Sequence, residues 1–200
     1  MTSMPSDLLS RALDAPGEPP LRPLPPLVAA LLHSLGAPPR LAAHLRAVHD
    51  VAVELVDWVR DRHPDLAVDR DAVLLGAATH DIGKTLHPEE LTGPGSRHEE
   101  AGRNLLLDHG FTPALARFAA THGSWAGPAV TTEDLLVSTA DKVWKDKRVP
   151  DLEDKLVRAL ANATGREPWE EYLAVDDLLT RLGADADRRL AFQSAFPVHP

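Results

Sequence analysis

The chain has 200 residues, 44% of them hydrophobic and 26% charged, the balance of one globular domain with ample core, which argues against wholesale disorder. Its 21 Lys and Arg stand against 30 Asp and Glu, a formal net charge of −9 that repels phosphate polymers and anionic headgroups, so nucleic-acid polymers and membranes are not expected partners. The absence of cysteine excludes disulfides, thiolate–zinc sites, iron–sulfur clusters and cysteine nucleophiles; any metal must rest on carboxylates and the ten histidines.

The first twenty residues lack a basic start followed by an apolar run, so no secretory signal is expected. The longest apolar stretches, such as Leu27–Leu32, fall short of the roughly 20 residues of a membrane span, and a cytoplasmic protein is the expectation. Nine of the 18 prolines fall in residues 1–40, and residues 1–23 read as a mobile or loosely docked Pro-rich arm ahead of a helical domain over 24–200. A short helix is predicted from about Leu24 to Leu35, with Pro25 and Pro26 in its first turn and Gly36 ending it. Leu41, Leu45, Val48, Ala52, Leu55 and Val59 recur at three- and four-residue steps and predict a long helix from Pro39 to just before Pro64. A further helix runs from Asp69, a good N-cap, to a break at Gly83, and residues 86–96 read as a loop. Helices follow at about 97–109, 113–122, 132–146, 151–164, 168–182 and 184–195, each fenced by turn or cap residues. No stretch alternates with period two, so the expected class is all-α, one helical bundle. Its last helices, with Trp169, Tyr172, Leu173, Leu178, Leu179 and Leu182, complete the bundle or offer a pocket wall or homodimer face.

The segment GAATHDIGK, residues 76–84, is the most informative. Adjacent helical residues point about 100° apart, so His80 and Asp81 cannot both face solvent at the end of this apolar helix. Both need partners, and a shared cation supplies them at once. Asp141 sits in LLVSTADKVWK, a run where a lone carboxylate is expensive to bury. His122 closes the apolar run LARFAATH, and His98 opens HEEAGRNLLL. A dipole-stabilised helix-end histidine is the alternative for any one of them taken alone.

This pattern resembles the HD-domain superfamily of metal-dependent phosphohydrolases, on HDIGK at 80–84, HEEAG at 98–102 and ADKVWKDKR at 140–148, over roughly residues 40–148. The resemblance implies an all-α bundle around a central metal site. It implies His80, Asp81 and Asp141 as ligands of one metal, with His98 and His122 matching the extra histidines of members that hold two. The family's first ligand, a histidine on the long helix, falls on His44 or His49. His44 lies nearer the apolar stripe and matches the spacing through Val48, Ala52 and Leu55, whereas the shorter separation from His80 favours His49.

Imidazole and carboxylate suit one or two divalent ions, Mn, Fe, Co, Ni or Zn, with Mg also allowed. Such ions polarise a phosphate and activate water. The expected function is hydrolysis of a phosphoester in a small phosphorylated metabolite, a nucleotide foremost. Asp81 and Lys84 are the candidate catalytic residues, and Lys84 is equally read as a solvated helix-end lysine. Lys142, Lys145, Lys147 and Arg148 form the densest basic run, of which Lys142, Lys145 and Arg148 are candidate phosphate contacts; Trp125 is a candidate to stack on a base. Two other readings stay open. One is a di-iron oxygenase of HD type, because relatives with four histidines and two aspartates cleave carbon bonds with O2. The other is a non-catalytic nucleotide-binding module.

Overall fold

The structure, a computed structural model, describes residues 5–127 and 129–199. It contains helices α1 (Pro5–Asp14), α2 (Pro26–Ser34), α3 (Pro39–Arg62), α4 (Arg70–Thr79), α5 (Arg97–Asp108), α6 (Pro113–Thr121), α7 (Thr132–Val143), α8 (Pro150–Thr164), α9 (Pro168–Gly183) and α10 (Ala186–Ser194). Two short 3-10 turns, Ile82–Thr85 and Pro88–Leu91, lie between α4 and α5, and no strand occurs among the described residues. The all-α class predicted from periodicity is the class observed.

Proline sets many of the boundaries. Helices α2, α3, α6, α8 and α9 each start with Pro in the first turn, where a fixed φ suits the helix and the missing N–H would have had no partner. Side-chain caps start others. Asp69 accepts from the Ala72 N–H at 3.0 Å to begin α4, and Thr131 with Asp134 forms a reciprocal capping box on α7. Gly165, at φ 68°, ends α8 in the left-handed conformation that favours glycine.

Helix α3 is the axis of the molecule, packed by α1, α4, α7 and α10. Its predicted stripe, Leu41, Leu45, Val48, Ala52, Leu55 and Val59, is fully buried or nearly so. One core cluster joins the later part of α3 to α4, α7, α8 and α9; a second joins its start to α1, α2, α5 and α6. On α9, Leu178, Leu179 and Leu182 complete the bundle, whereas Trp169, Tyr172 and Leu173 are exposed.

The N-terminal segment differs from the loosely docked arm expected for residues 1–23. Residues 1–4 lie outside the described residues, but Pro5–Asp14 is helical and packs on α3 through buried Leu9, Ala12 and Leu13. The physical reason lies on α3. A proline-rich chain leaves carbonyls without helical partners, and the buried guanidinium of Arg46 collects them, donating to Ala12 O at 2.9 Å, Ala15 O at 2.8 Å and Leu21 O at 2.9 Å. Arg22 adds a 2.7 Å ion pair to Asp50.

Two smaller departures matter for the site. The α4 helix stops at Thr79, and the chain tightens into the first 3-10 turn at Ile82. Gly83 in that turn lies against the start of α5. A Cβ there would overlap the His98 carbonyl oxygen and sit 2.6 Å from the Gly102 nitrogen, so only glycine permits the approach.

Replacing Arg46 with Met should leave several buried carbonyls unpaired, at about 1–3 kcal/mol each. The expected outcome is a lowered melting temperature and new tryptic cleavage at Arg11, read by mass spectrometry of limited digests. An unchanged digest would mean that apolar contacts alone dock the segment.

Candidate metal centre

Six polar side chains from five helices and one turn meet where helix ends converge. His44 comes from the first third of α3, His80 caps the C-terminus of α4, and Asp81 precedes the 3-10 turn. His98 lies in the first turn of α5, His122 caps the C-terminus of α6, and Asp141 lies near the end of α7. All six are buried, His80 completely.

They form two triads. His44, His80 and Asp141 make the first: the two Nε2 atoms are 3.2 Å apart, and Asp141 Oδ1 is 3.3 Å from His80 Nε2. Asp81, His98 and His122 make the second, with Asp81 Oδ1 at 3.0 Å from His98 Nε2 and 3.3 Å from His122 Nε2. The other oxygen of Asp81, Oδ2, is 3.1 Å from His44 Nε2, so one carboxylate spans both groups.

Hydrogen bonding behind the rings assigns their tautomers. His80 Nδ1 lies 2.9 Å from Ala77 O, His122 Nδ1 lies 3.0 Å from Ala119 O, and His98 Nδ1 lies 2.6 Å from Glu90 Oε2. These oxygens only accept, so each Nδ1 carries the hydrogen and each Nε2 lone pair points into the cluster. Lone pairs facing carboxylate oxygens at about 3 Å repel unless a cation lies between them. Asp81 Oδ1 and His98 Nε2 are buried with no hydrogen-bond partner, as ligand atoms would be. The donor set therefore fits divalent ions held by nitrogen and oxygen. Burial opposes ionisation of Asp141, but hydrogen bonding and charge around it, Lys142 included, hold it below the usual carboxylate range. Burial also lowers the pKa of His44, which keeps the ring neutral and available as a ligand.

His49, the rival first ligand, belongs to neither triad. It is buried one and a half turns further along α3 with Nδ1 unpartnered, and burial lowers its pKa to about 4. His44 is the histidine that faces the cluster.

The surrounding candidates divide. Lys84 Nζ lies 2.6 Å from Asp81 Oδ2, and Lys142 Nζ bonds Asp141 Oδ2. Lys145 is exposed and lies over the Trp144 ring at 5.6 Å. Arg148 is held in ion pairs with two carboxylates. Its guanidinium is already committed to Glu153 at 2.8 Å and Asp176 at 2.6 Å, where it ties the start of α8 to α9. Trp125 is likewise occupied as packing. Its Nε1 donates to Asp151 at 2.6 Å and its ring packs against the core.

Sequence reasoning missed Glu90, whose carboxylate backs His98, and missed a repeat that was legible. The tetrapeptide Ala-Ala-Thr-His ends both α4 (77–80) and α6 (119–122). In both, the threonine hydroxyl donates to the carbonyl four residues back, and the histidine Nδ1–H donates three residues back.

A family model described as HD domain matches residues 41–191. No curated protein and no solved structure matches the chain significantly.

The His49 environment gives a pH prediction. Its folded pKa of about 4 lies below the usual 6.5, so between these values the unfolded chain binds more protons and stability falls as pH falls. At pH 5 the loss is about 2 kcal/mol relative to pH 7. His49→Leu should remove about that much of the difference between the unfolding free energies from urea titrations at the two pH values and leave metal uptake intact, whereas His44→Ala should reduce metal uptake.

Proposed function

The chain belongs to the HD-domain family, and from that premise we propose that it is a metal-dependent phosphohydrolase acting on a phosphoester of a small phosphorylated metabolite, a nucleotide foremost. The observation that carries this reading is the pair of ammonium groups at the paired triads. Lys84 and Lys142 each rest on the Oδ2 of a ligand carboxylate, and each side chain is 18% exposed, enough to meet a solute. Two cations beside two sets of inward-facing lone pairs make a local anion site in a chain whose overall charge is −9.

A divalent ion held by each triad supplies charge neutralisation at the phosphoryl oxygens and a water whose pKa is lowered towards neutrality. His44, His80 and Asp141 would hold one, and His98 and His122 the other, with Asp81 shared. The rest is done by the chain itself. Ala77 and Ala119 carbonyls and the Glu90 carboxylate keep the imidazole hydrogens on Nδ1, so Nε2 stays free to bind. Lys84 offers its charge to a non-bridging phosphoryl oxygen next to Asp81, and Lys142 does the same next to Asp141. Exposed Lys145 extends this rim outward, towards the rest of the substrate.

Metal analysis of the purified protein, followed by a panel of phosphomonoesters, nucleotides and dinucleotides with Mn, Co, Ni and Mg, tests the reading. The expected outcome is about two metal equivalents per chain and turnover of at least one phosphoester. His80→Ala and Asp141→Ala should lose metal and activity together. Lys84→Met should keep the metal and lower kcat about 100-fold. An iron-rich, coloured protein that turns over no phosphoester and consumes O2 with substrate would replace hydrolysis with oxygenase chemistry.

A further inference from the structure

We propose that Glu90 is a positioning residue that orients His98 for the second triad, so that metal occupancy of that triad depends on the segment 88–96 outside the ligand helices. This rests on the reading of the two triads as metal sites. The Glu90 side chain is 3% exposed, an unusual placement for a carboxylate in a loop. The 3-10 turn Pro88–Leu91 directs it inward, while its neighbour Glu89 is exposed and pairs with Arg97.

Both oxygens of Glu90 are used. Oε2 accepts from His98 Nδ1–H at 2.6 Å and from the His98 backbone N–H at 3.1 Å. Oε1 accepts from the Arg97 backbone N–H at 3.2 Å. The loop closes over this carboxylate at Gly95, where any Cβ would overlap it. Ser96, the residue before α5, makes no side-chain cap bond, so Glu90 supplies from a distance the acceptors that a cap would.

The other ligand rings are held differently. His80 and His122 donate to carbonyls of their own helices, and His44 Nδ1 has no partner. Among the four ligand histidines, His98 alone is backed by a side chain from another segment. A carboxylate behind an imidazole fixes its rotation and raises its basicity towards a cation, and removing such a group typically costs 10- to 100-fold in metal affinity. The asymmetry predicts two sites of unequal dependence on the loop.

The test is titration of the full chain with Co(II), stripped of metal beforehand, by calorimetry and visible absorbance, for wild type, Glu90→Ala, Glu90→Gln and His98→Ala. Melting temperatures and far-UV circular dichroism are recorded alongside. Wild type should bind two equivalents. Glu90→Ala should keep the first Kd and weaken the second about 10- to 100-fold. Glu90→Gln, which keeps the shape and one acceptor, should fall between, and His98→Ala should lose the second equivalent. Two equivalents in wild type with an unchanged second Kd in both Glu90 variants would overturn the role of Glu90 alone. Equal weakening of both equivalents, or a loss that follows only the melting temperature, would also overturn it in favour of a helix cap. Fewer than two equivalents in wild type would overturn the two-site reading itself.

Discussion

The carboxylate of Asp81 is the point on which the rest of the molecule turns. It is buried, yet it touches His44 on one oxygen and His98 and His122 on the other, with Lys84 beside it. A charge in an apolar bundle is costly unless its neighbours answer it, and here the answering groups must come from α3, α5 and α6 at once. The ends of α4, α5, α6 and α7 therefore meet at one place against the body of α3. The flanking apolar surfaces close as two clusters.

Helix ends are apt places for such ligands for a plain reason. The last turn of a helix has carbonyls with no N–H to receive, and a histidine placed there can use one of them to hold its own ring. The paired Ala-Ala-Thr-His endings of α4 and α6 do this twice with the same local geometry. The ring nitrogen left over points forward, past the helix terminus and into the cluster. His98 sits at the opposite kind of end, a helix start, where no free carbonyl exists, and a carboxylate from elsewhere takes that part.

Much of this was legible in the sequence because it is local. Prolines marked helix starts, the stripe on α3 marked the core face, and polar residues inside apolar runs marked Asp81, His122 and Asp141 as groups in need of partners. The choice between His44 and His49 was only half legible: both lie on one buried helix, and which faces the cluster depends on how α3 rotates against α4 and α7. Glu90, Arg46 and Arg148 were not legible in this way. Each acts across the chain, on a loop-to-helix, helix-to-segment or helix-to-helix contact that has no periodic signature. The proline count near the N-terminus pointed to an unanchored arm because its anchor, Arg46, lies on a different element.

The glycine contact between the 3-10 turn and α5 has a consequence for how this site could change over time. Gly83 and Gly102 bring main chain against main chain, with no side chain between to lengthen or shorten. The approach of the turn after Asp81 to the start of α5, which carries His98, is thus set by backbone thickness, as by a ruler. Replacing a side chain of either triad would leave that approach unchanged. A descendant protein needing a wider or narrower approach would have to rebuild this turn, and no single substitution at a histidine would serve.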